Sequence, residues 1–492
     1  MDRRRFLQAG VFTAGGTAAI PLLATAVGAQ TAGISPYGPI EGNAPDENGM
    51  ILPEGFTSRI VAVAGEPVGD TDFEWHIFPD GAAVFGQDDG GWIHTVNSEV
   101  FIPGAAGVSA IRYDADGNII DAYEVLRGSN SNCGGGPTPW GTFLSGEEDY
   151  AAGLGVLWEC DPTGKADAVA LEAMGRFIHE AAAVDPAREH VFQTEDMPDG
   201  RLYRFTPDSY PDLTSGLLEV CAVASDGSVS WITVPDPSAA ETATRQQVPE
   251  STAFAGGEGI WYFEDQIFFS TKYDNKIHGI DLANQTYAVL YEANPDDVAA
   301  GTAVLSGVDN LTVDEGTGDI FVAEDGGNME VVIITPDGEV APFARIVDQD
   351  QSEITGPVFN PARDRLYFSS QRGPSPRTIV DINPMMPSED NWGGITYEVT
   401  GPFRGIVEAP PETTTTSEAP SDSTTTTPAE TTTTPPPTET IANITDGGGD
   451  DDGTDTALII GAGAAAVVAV GAGVIGLRRR KETPPSAPDP GE

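Results

Sequence analysis

The polar and apolar residues of this chain alternate in short runs, and one arrangement of them recurs. Each copy has an apolar strand-like run, a polar turn and a second apolar run that ends in polar residues. The copies occupy residues 181–186 with 192–196, 259–263 with 269–272, 310–313 with 321–325, and 358–361 with 367–371. Period-two alternation broken by turns predicts β-strands, and the later copies lie roughly 50 residues apart, the period of a propeller blade.

Helical periodicity is almost absent from residues 41–408, so the pattern predicts an all-β fold. With roughly 50 residues per blade, this length favours a six- or seven-bladed β-propeller ectodomain. An irregular array of β-sandwiches is the competing architecture.

The two ends of the chain carry targeting signals. Arg3-Arg4-Arg5-Phe6-Leu7 precedes an apolar run, which predicts a twin-arginine signal peptide over residues 1–29. Residues 409–456 form a Thr/Pro/acid-rich stalk, and residues 457–477 are uncharged and long enough to cross a hydrocarbon core of about 30 Å. Arg478-Arg479-Arg480-Lys481 places residues 478–492 in the cytoplasm. These signals predict a cell-surface protein with its globular part outside.

Acidic residues outnumber basic ones 76 to 24, for a formal charge of −52. This charge excludes nucleic acid and anionic membrane surfaces as partners and attracts cations. Most of this negative charge is explained by a solvated protein surface suited to saline or acidic surroundings. The three cysteines, Cys133, Cys160 and Cys221, cannot all pair within one chain. Two alternatives remain for Cys160 and Cys221: a disulfide bridge between them, or two buried free thiols.

The residues with candidate chemistry lie at strand edges. Cys133 sits in a glycine run, and residues 132–149 end in three consecutive acids. In a propeller, inner strands surround one channel, so equivalent positions converge. Carboxylates suit calcium, and a thiolate among them suits iron or zinc. Each acid taken alone is more often a turn residue, but they recur in phase: Glu99, Glu147, Glu148, Glu180, Glu195, Asp196, Glu258, Asp309 and Asp325.

From about residue 48 to 373 the chain resembles the PhoX-type alkaline phosphatase family. The resemblance rests on a long central block and several shorter motifs. They are Asn132-Cys133-Gly134-Gly135-Gly136-Pro137-Thr138-Pro139-Trp140, Phe177-Ile178-His179-Glu180, Thr194-Glu195-Asp196, Gly257-Glu258-Gly259, Asp309-Asn310-Leu311 and Gln371-Arg372-Gly373.

The resemblance implies a propeller with a buried cluster of iron and calcium that hydrolyses phosphomonoesters. A metal-bound oxide or hydroxide would be the nucleophile, so the catalytic side chains stay undefined. Cys133 corresponds to the iron-binding cysteine of the family. The implied carboxylate ligands are Glu99, Glu147 or Glu148, Glu180, Glu258, Glu195, Asp196 and Asp325.

The chain also departs from the family pattern. The family sets an arginine near the glutamate matched by Glu258, and here the run is Phe254-Ala255-Gly256-Gly257-Glu258. An Asn-His-Glu motif appears as Asn97-Ser98-Glu99. Arg176, Lys272 and Arg372 are the remaining candidates for gripping phosphate.

Three functions compete. The first is a cell-surface metal-dependent phosphoesterase that acts on a small phosphorylated substrate. The others are a lactonase-like hydrolase on a calcium propeller and a non-catalytic, metal-stabilised propeller for adhesion or ligand capture. The sequence leaves the oligomeric state undefined.

Overall fold

The computed structural model describes residues 32–150, 155–382 and 393–405. The predicted signal peptide, the stalk, the apolar run 457–477 and the basic tail lie outside these residues. In the described part, 26 strands form six antiparallel sheets, and no helix there is long and apolar enough to cross a membrane. The fold is a six-bladed β-propeller. The seven-bladed and β-sandwich alternatives are wrong.

Blades I to III follow one another along the chain after two short strands, β1 (Met50–Ile51) and β2 (Thr57–Val63). Blade I contains β3 (Pro79–Gly86), β4 (Trp92–Ser98), β5 (Ala106–Tyr113) and β6 (Ile119–Ser129). Blade II contains β7 (Asn132–Pro137), β8 (Phe143–Glu147), β9 (Leu157–Cys160) and β10 (Val169–Ala170). Blade III contains β11 (His179–Asp185), β12 (His190–Glu195), β13 (Leu202–Ser209), β14 (Asp212–Val223) and β15 (Val229–Thr233).

Blades IV to VI complete the circle. Blade IV contains β16 (Gly257–Phe263), β17 (Gln266–Thr271), β18 (Lys276–Asp281) and β19 (Thr286–Glu292), followed by helix α1 (Pro295–Ala300). Blade V contains β20 (Val308–Asp314), β21 (Asp319–Glu324), β22 (Glu330–Ile334) and β23 (Val340–Ile346). Blade VI contains β24 (Ile354–Phe359), β25 (Arg365–Ser370) and β26 (Ile395–Thr400), with helix α2 (Ile379–Ile382) before β26.

Short polar turns make the successive strands neighbours. A hairpin turn at residues 114–118 joins β5 to β6. Asp114 Oδ1 accepts hydrogen bonds from the backbone amides of Asp116 and Asn118, and Gly117 takes a φ of 82° that glycine adopts without strain. Local turns of this kind order the strands within each blade as they occur in the chain.

Apolar side chains fill each of the six junctions between neighbouring blades. Leu144 and Leu157 of blade II pack with Val184 and Val191 of blade III, for example. Equivalent clusters lie at the other five junctions. Because each blade buries both faces against its neighbours, the blades hold one another in register around the axis.

The N-terminal strand β2 closes the ring. It pairs antiparallel with β26, with Thr57 opposite Thr400, and so supplies the outermost strand of blade VI. Strand β1 adds a fifth strand to blade V in the same way, with Met50 opposite Ile346. Residues from the beginning of the described chain therefore complete blades built mainly from its end.

All three cysteines are buried and free. Cys160 and Cys221 lie within the apolar clusters between blades, in separate junctions. Of the two alternatives left open by the sequence, two buried thiols are therefore confirmed, and the Cys160–Cys221 bridge is absent.

Candidate metal centre

The innermost strand of every blade breaks register near its start. In blade I, Pro79 faces Ser98 but Ala82 faces Val96, so one extra residue is inserted. The same insertion occurs near the start of β7, β11, β16, β20 and β24. A β-bulge bends the strand and redirects a side chain, so six bulges in phase aim six positions at one region.

Five of the six bulges carry a metal-ligating residue type at their first position. We call these residues the bulge set: Asp80, Cys133, Glu180, Glu258 and Asp309. In blade VI the equivalent position is Gly356, and Glu353 lies three residues before it. Every member of the bulge set is buried.

A second set follows the neighbouring strand of each blade. In each blade, one residue of the second strand pairs with the first residue of the inner strand. The member of the second set is the residue that follows this partner in the chain. This end set is Glu99, Glu148, Asp196, Lys272, Asp325 and Gln371. Four of its six members are carboxylates, one is an amide, and blade IV alone supplies a cation.

The two sets meet in overlapping clusters of possible metal ligands. In each cluster the ligand atoms lie within 4.8 Å of one another. The clusters are Asp80 with Glu99 and Cys133, Cys133 with Glu148 and Glu180, Glu180 with Glu258 and Asp309, and Asp309 with Asp325 and Glu353. Because neighbouring clusters share a residue, they form one continuous centre across the axis.

Several buried oxygen atoms of the centre have no hydrogen-bond partner. They are Asp80 Oδ1, Glu180 Oε2 and Asp196 Oδ1, on side chains that are at most 2% exposed. An unpaired carboxylate oxygen away from water costs a large desolvation free energy unless a cation or donor meets it. These atoms, together with a thiol beside carboxylates, fit bound metal ions.

The pKa shifts of the buried thiol and carboxylates also fit bound metal ions. Burial, followed by the nearby Asp80 and Glu180 carboxylates, raises the pKa of the Cys133 thiol well above its usual value. Burial likewise raises the pKa of Glu180 and of Glu148, and it raises the pKa of Asp309 to about 7. Without cations these groups would bind protons, so the anionic forms need positive charge among them.

A polar network holds strand β7, which carries Cys133. Asn97 Nδ2 donates to the backbone oxygens of Cys133 and Gly134, at 2.5 and 2.7 Å. Ser145 Oγ donates to Asn97 Oδ1 at 2.7 Å. Gly134 has no room for a side chain, because a Cβ there would lie 2.5 Å from Glu180 Oε1. The glycine run therefore lets blade II approach blade III closely.

Lys272 is the cation of the end set. Its Nζ lies 2.8 Å from Glu258 Oε1 and 3.2 Å from Asp196 Oδ2, and a quarter of its side chain is exposed. Burial alone would lower the pKa of Lys272, but the Glu258 and Asp196 carboxylates raise it well above its usual value. The lysine is thus charged and faces both the carboxylates and solvent.

Gly256 explains why the chain lacks an arginine at this point. Its φ is 73°, and a Cβ there would lie 2.5 Å from the Tyr273 ring and 3.0 Å from Asp196 Oδ1. A long side chain has no space at position 256. Lys272 reaches Glu258 from the neighbouring strand instead.

The structure brings together most of the predicted metal ligands: Cys133, Glu99, Glu148, Glu180, Glu258 and Asp325 share the overlapping clusters. Of the three remaining residues, Asp196 contacts Lys272. Glu147 accepts from the backbone amides of Asn130 and Val156, at 3.1 and 3.2 Å. Glu195 accepts from Tyr203 Oη at 2.7 Å and pairs with Arg245 at 3.3 Å.

The three predicted phosphate-binding residues also differ in position. Lys272 lies within the centre. Arg372 pairs with Glu353, at 2.9 Å, and is about a third exposed at its edge. Arg176 forms an exposed ion pair with Glu172, four residues before it, so it has a carboxylate partner outside the clusters.

Sequence reasoning missed Asp80, Glu353 and Gln371 as members of the site. Gln371 Nε2 donates to Glu99 Oε2 at 2.8 Å and also to Asp80 Oδ2. An alignment of the six blades on the first residue of each inner strand would have found both Asp80 and Gln371. Asp80 occupies the position of Cys133 in its blade, and Gln371 occupies the position of Glu148. Glu353 precedes its strand and had no such signal.

Comparison with known proteins gives one family. Residues 93–285 match the sequence profile described as alkaline phosphatase PhoX, which confirms the predicted resemblance. The matched span begins in blade I and ends in blade IV, and it contains Cys133, Glu180, Glu258 and Lys272. No curated protein sequence gives a significant match.

Among solved structures, the chain is similar to Pseudomonas fluorescens PhoX in complex with vanadate, a transition state analogue. The TM-score is 0.59 at 16% identity, over 73% of this chain and 97% of that one. At this identity the likeness shows the fold. A Bacteroides thetaiotaomicron protein of unknown function, TM-score 0.43 at 10% identity over 70% of this chain and 76% of that one, is too distant to carry an argument.

Proposed function

We propose that this chain, whose residues 93–285 match the alkaline phosphatase PhoX family, is a metal-dependent phosphomonoesterase displayed at the cell surface. The observation that carries the proposal is the centre itself. Nine ligand-type residues from all six blades, including one thiol, form overlapping clusters around buried oxygens without partners. This arrangement suits cations that in turn would bind a phosphate group.

The ligand chemistry divides the centre between two kinds of cation. Cys133 belongs to two clusters, and a soft thiolate with carboxylates suits iron. The two clusters without a thiol offer only carboxylates, which suit calcium. Bound there, these cations would neutralise phosphate oxygens and increase the electrophilicity of phosphorus.

The chain's own residues bind and orient the substrate. The Lys272 ammonium is charged and partly exposed beside Glu258, so it donates to a phosphate oxygen where the family uses an arginine. Arg372 lies at the blade VI edge of the centre and offers a second donor. Both residues face a strongly acidic surface, and we expect removal of either to weaken binding of an anionic substrate most at low ionic strength.

The histidine beside the centre has another role. His179 Nε2 contacts the Gly175 backbone oxygen at 3.0 Å, and the ring stacks on Phe177 with centroids 3.7 Å apart. Burial lowers the pKa of His179 to about 3. His179 is therefore a neutral, buried ring that packs blade III.

The test pairs metal analysis with turnover. Full-length protein is expressed with its export signal, its iron and calcium are quantified, and hydrolysis of p-nitrophenyl phosphate, nucleotides, phosphodiesters and a lactone is measured. We expect phosphomonoester turnover that chelation abolishes and vanadate inhibits. Protein with a full metal complement and no turnover of any phosphoester would overturn the proposal. Turnover of the lactone alone would favour the lactonase hypothesis.

Surface display rests on the sequence signals at both ends of the chain. Protease treatment of intact cells should remove the phosphatase activity while a cytoplasmic marker enzyme survives. Replacing Arg3, Arg4 and Arg5 by lysine should leave the protein inside the cell. Release of active wild-type protein into the medium with no membrane-bound fraction would contradict an anchored location.

A further inference from the structure

The exposed aromatic side chains of the described residues share one kind of position in the chain. There are three, Phe101, Tyr150 and Tyr273, each about half exposed. Phe101 and Tyr150 come two residues after Glu99 and Glu148, and Tyr273 comes directly after Lys272. All three therefore follow members of the end set. Exposed aromatic rings beside a polar site are typical of ligand-binding surfaces.

Two of these rings border the same carboxylate. Tyr150 Oη lies 2.6 Å from Glu148 Oε1 and within hydrogen-bond distance of Asp196 Oδ2, so its single proton is shared between these two acceptors. Lys272 Nζ lies 3.2 Å from that same Asp196 oxygen. The Tyr273 ring lies over Gly256, where a Cβ would be 2.5 Å from the ring and 3.0 Å from the other Asp196 oxygen. Tyr150, Lys272 and Tyr273 thus form one patch around Asp196.

Contacts within the patch position both tyrosine rings. Hydrogen bonds through Tyr150 Oη fix the orientation of that side chain, and the absence of a side chain at Gly256 makes room for the Tyr273 ring. An ordered ring loses little conformational entropy when a ligand stacks on it, which raises the affinity for planar groups. The lysine between the rings favours a ligand that also carries negative charge.

From this patch we infer that the enzyme has a subsite for a planar leaving group, so its preferred substrates are nucleoside or aryl phosphomonoesters. The phosphate lies toward Lys272 and the metal centre, and the planar ring stacks on Tyr273 with Tyr150 at its edge. This inference rests on the proposed phosphatase function and extends it to the substrate class.

The experiment compares three substrates that share a phosphate and differ in the leaving group. Adenosine 5′-monophosphate and p-nitrophenyl phosphate carry a planar ring, whereas glycerol 2-phosphate has none. Turnover is measured for full-length wild type and for Tyr273→Ala, Tyr273→Leu and Tyr273→Phe. Ile120→Ala, which alters an exposed apolar side chain on β6, is the matched control.

For Tyr273→Ala and Tyr273→Leu we expect kcat/KM to fall about 10-fold for the two planar substrates, mainly through KM, because each stacked ring contributes a factor of this order. Glycerol 2-phosphate should change less than about twofold by the same reasoning. Tyr273→Phe keeps the ring and should behave as wild type, as should Ile120→Ala.

Equal losses on all three substrates would overturn the inference while leaving the phosphatase function intact, since Tyr273 would then act only on the shape of the centre. If no substrate is turned over, the proposed function fails, and equilibrium dialysis still tests the subsite. Adenosine 5′-monophosphate should then bind wild type about 10-fold more tightly than Tyr273→Ala. Equal binding by the two proteins would exclude stacking.

Discussion

Two sectors of the centre neutralise buried carboxylates in different ways. We call Asp80, Glu99 and Cys133, from blades I and II, the thiol sector, and Asp196, Glu258 and Lys272, from blades III and IV, the lysine sector. In the thiol sector the neutral Gln371 amide donates to both carboxylates. In the lysine sector an ammonium group lies within 3.2 Å of both carboxylates.

The difference shows what one residue at a repeated position decides. The end set supplies a carboxylate in blades I, II, III and V, and a lysine in blade IV. A buried carboxylate pair needs a cation, which is an ammonium group in the lysine sector and which we propose to be a metal ion in the thiol sector. Metal binding is therefore expected in the thiol sector, and substrate binding in the lysine sector.

The largest effect is expected in the thiol sector. Cys133→Ser removes a ligand from two clusters, and we expect metal affinity to fall at least about 100-fold, the upper range for loss of an outer partner of a ligand. At a metal concentration about 100 times the dissociation constant of wild type, that loss of affinity lowers the free energy of unfolding by about 2.3 kcal/mol. Elemental analysis and thermal unfolding measure both effects. Cys160→Ala, a buried thiol in another junction, should keep the full metal content.

Glu180→Gln, at a carboxylate that shares a cluster with Cys133 of the thiol sector, separates a metal defect from a folding defect. Glu180 also belongs to two clusters, and its substitution leaves the Cys133 thiol in place. Bound calcium should therefore be lost while the absorption that depends on bound iron remains. Unchanged metal content in both Cys133→Ser and Glu180→Gln would show that the sector binds no metal.

In the lysine sector, Lys272→Met leaves Asp196 and Glu258 without their cation. Removing one partner of a fully buried pair costs about 3–5 kcal/mol, and we expect about 2 kcal/mol here because the lysine is partly exposed. The loss should be largest in chelator and should shrink when calcium is added, since a bound cation restores the neutralisation. Thermal unfolding with and without calcium measures it. A loss that calcium does not reduce would contradict this account.

Lys272→Glu is expected to make the lysine sector resemble the thiol sector. Blade IV would then carry a carboxylate like its neighbours, and the variant should bind one divalent cation more than wild type at saturation. Metal stoichiometry under calcium titration tests this. The same stoichiometry as wild type, in a protein that unfolds cooperatively, would show that Lys272 does not stand in for a metal ion.

The smallest effect is expected at the exposed edge of the centre. Asp325 joins Asp309 and Glu353 in one cluster but is only partly buried, so water shares in neutralising it. Asp325→Asn should weaken binding of the last calcium about 10-fold and leave the melting temperature of the chelated protein unchanged. Asp116→Asn, in the exposed β5–β6 hairpin, controls for the change in net charge.

The sequence predicted much of this structure because its strongest signals are local. Strand pairs such as 310–313 with 321–325 occur where the alternation placed them, and the acids at their ends meet at the axis. The blade number stayed open because blade III carries a fifth strand and a connection through a short 3₁₀ helix, Thr244–Gln246, which break the period.

The details of the site depended on register, which periodicity alone does not define. Glu147 and Glu148 are adjacent, yet only Glu148 joins a metal cluster, because successive residues of a strand point in opposite directions. Lys272 was predicted only as a phosphate-binding candidate. The pairing of Thr271 with Gly257 shows that Lys272, the next residue, belongs to the end set.

The pairing of β2 with β26 sets the order in which the protein can mature. The centre draws ligands from Asp80 to Glu353, and blade VI gains its outer strand only when residues 57 and 400 meet. A nascent chain on the ribosome therefore has no finished centre until nearly all of the propeller has been synthesised. Contacts so distant in sequence form slowly, so we expect stable metal loading to be a late, post-translational event that follows ring closure.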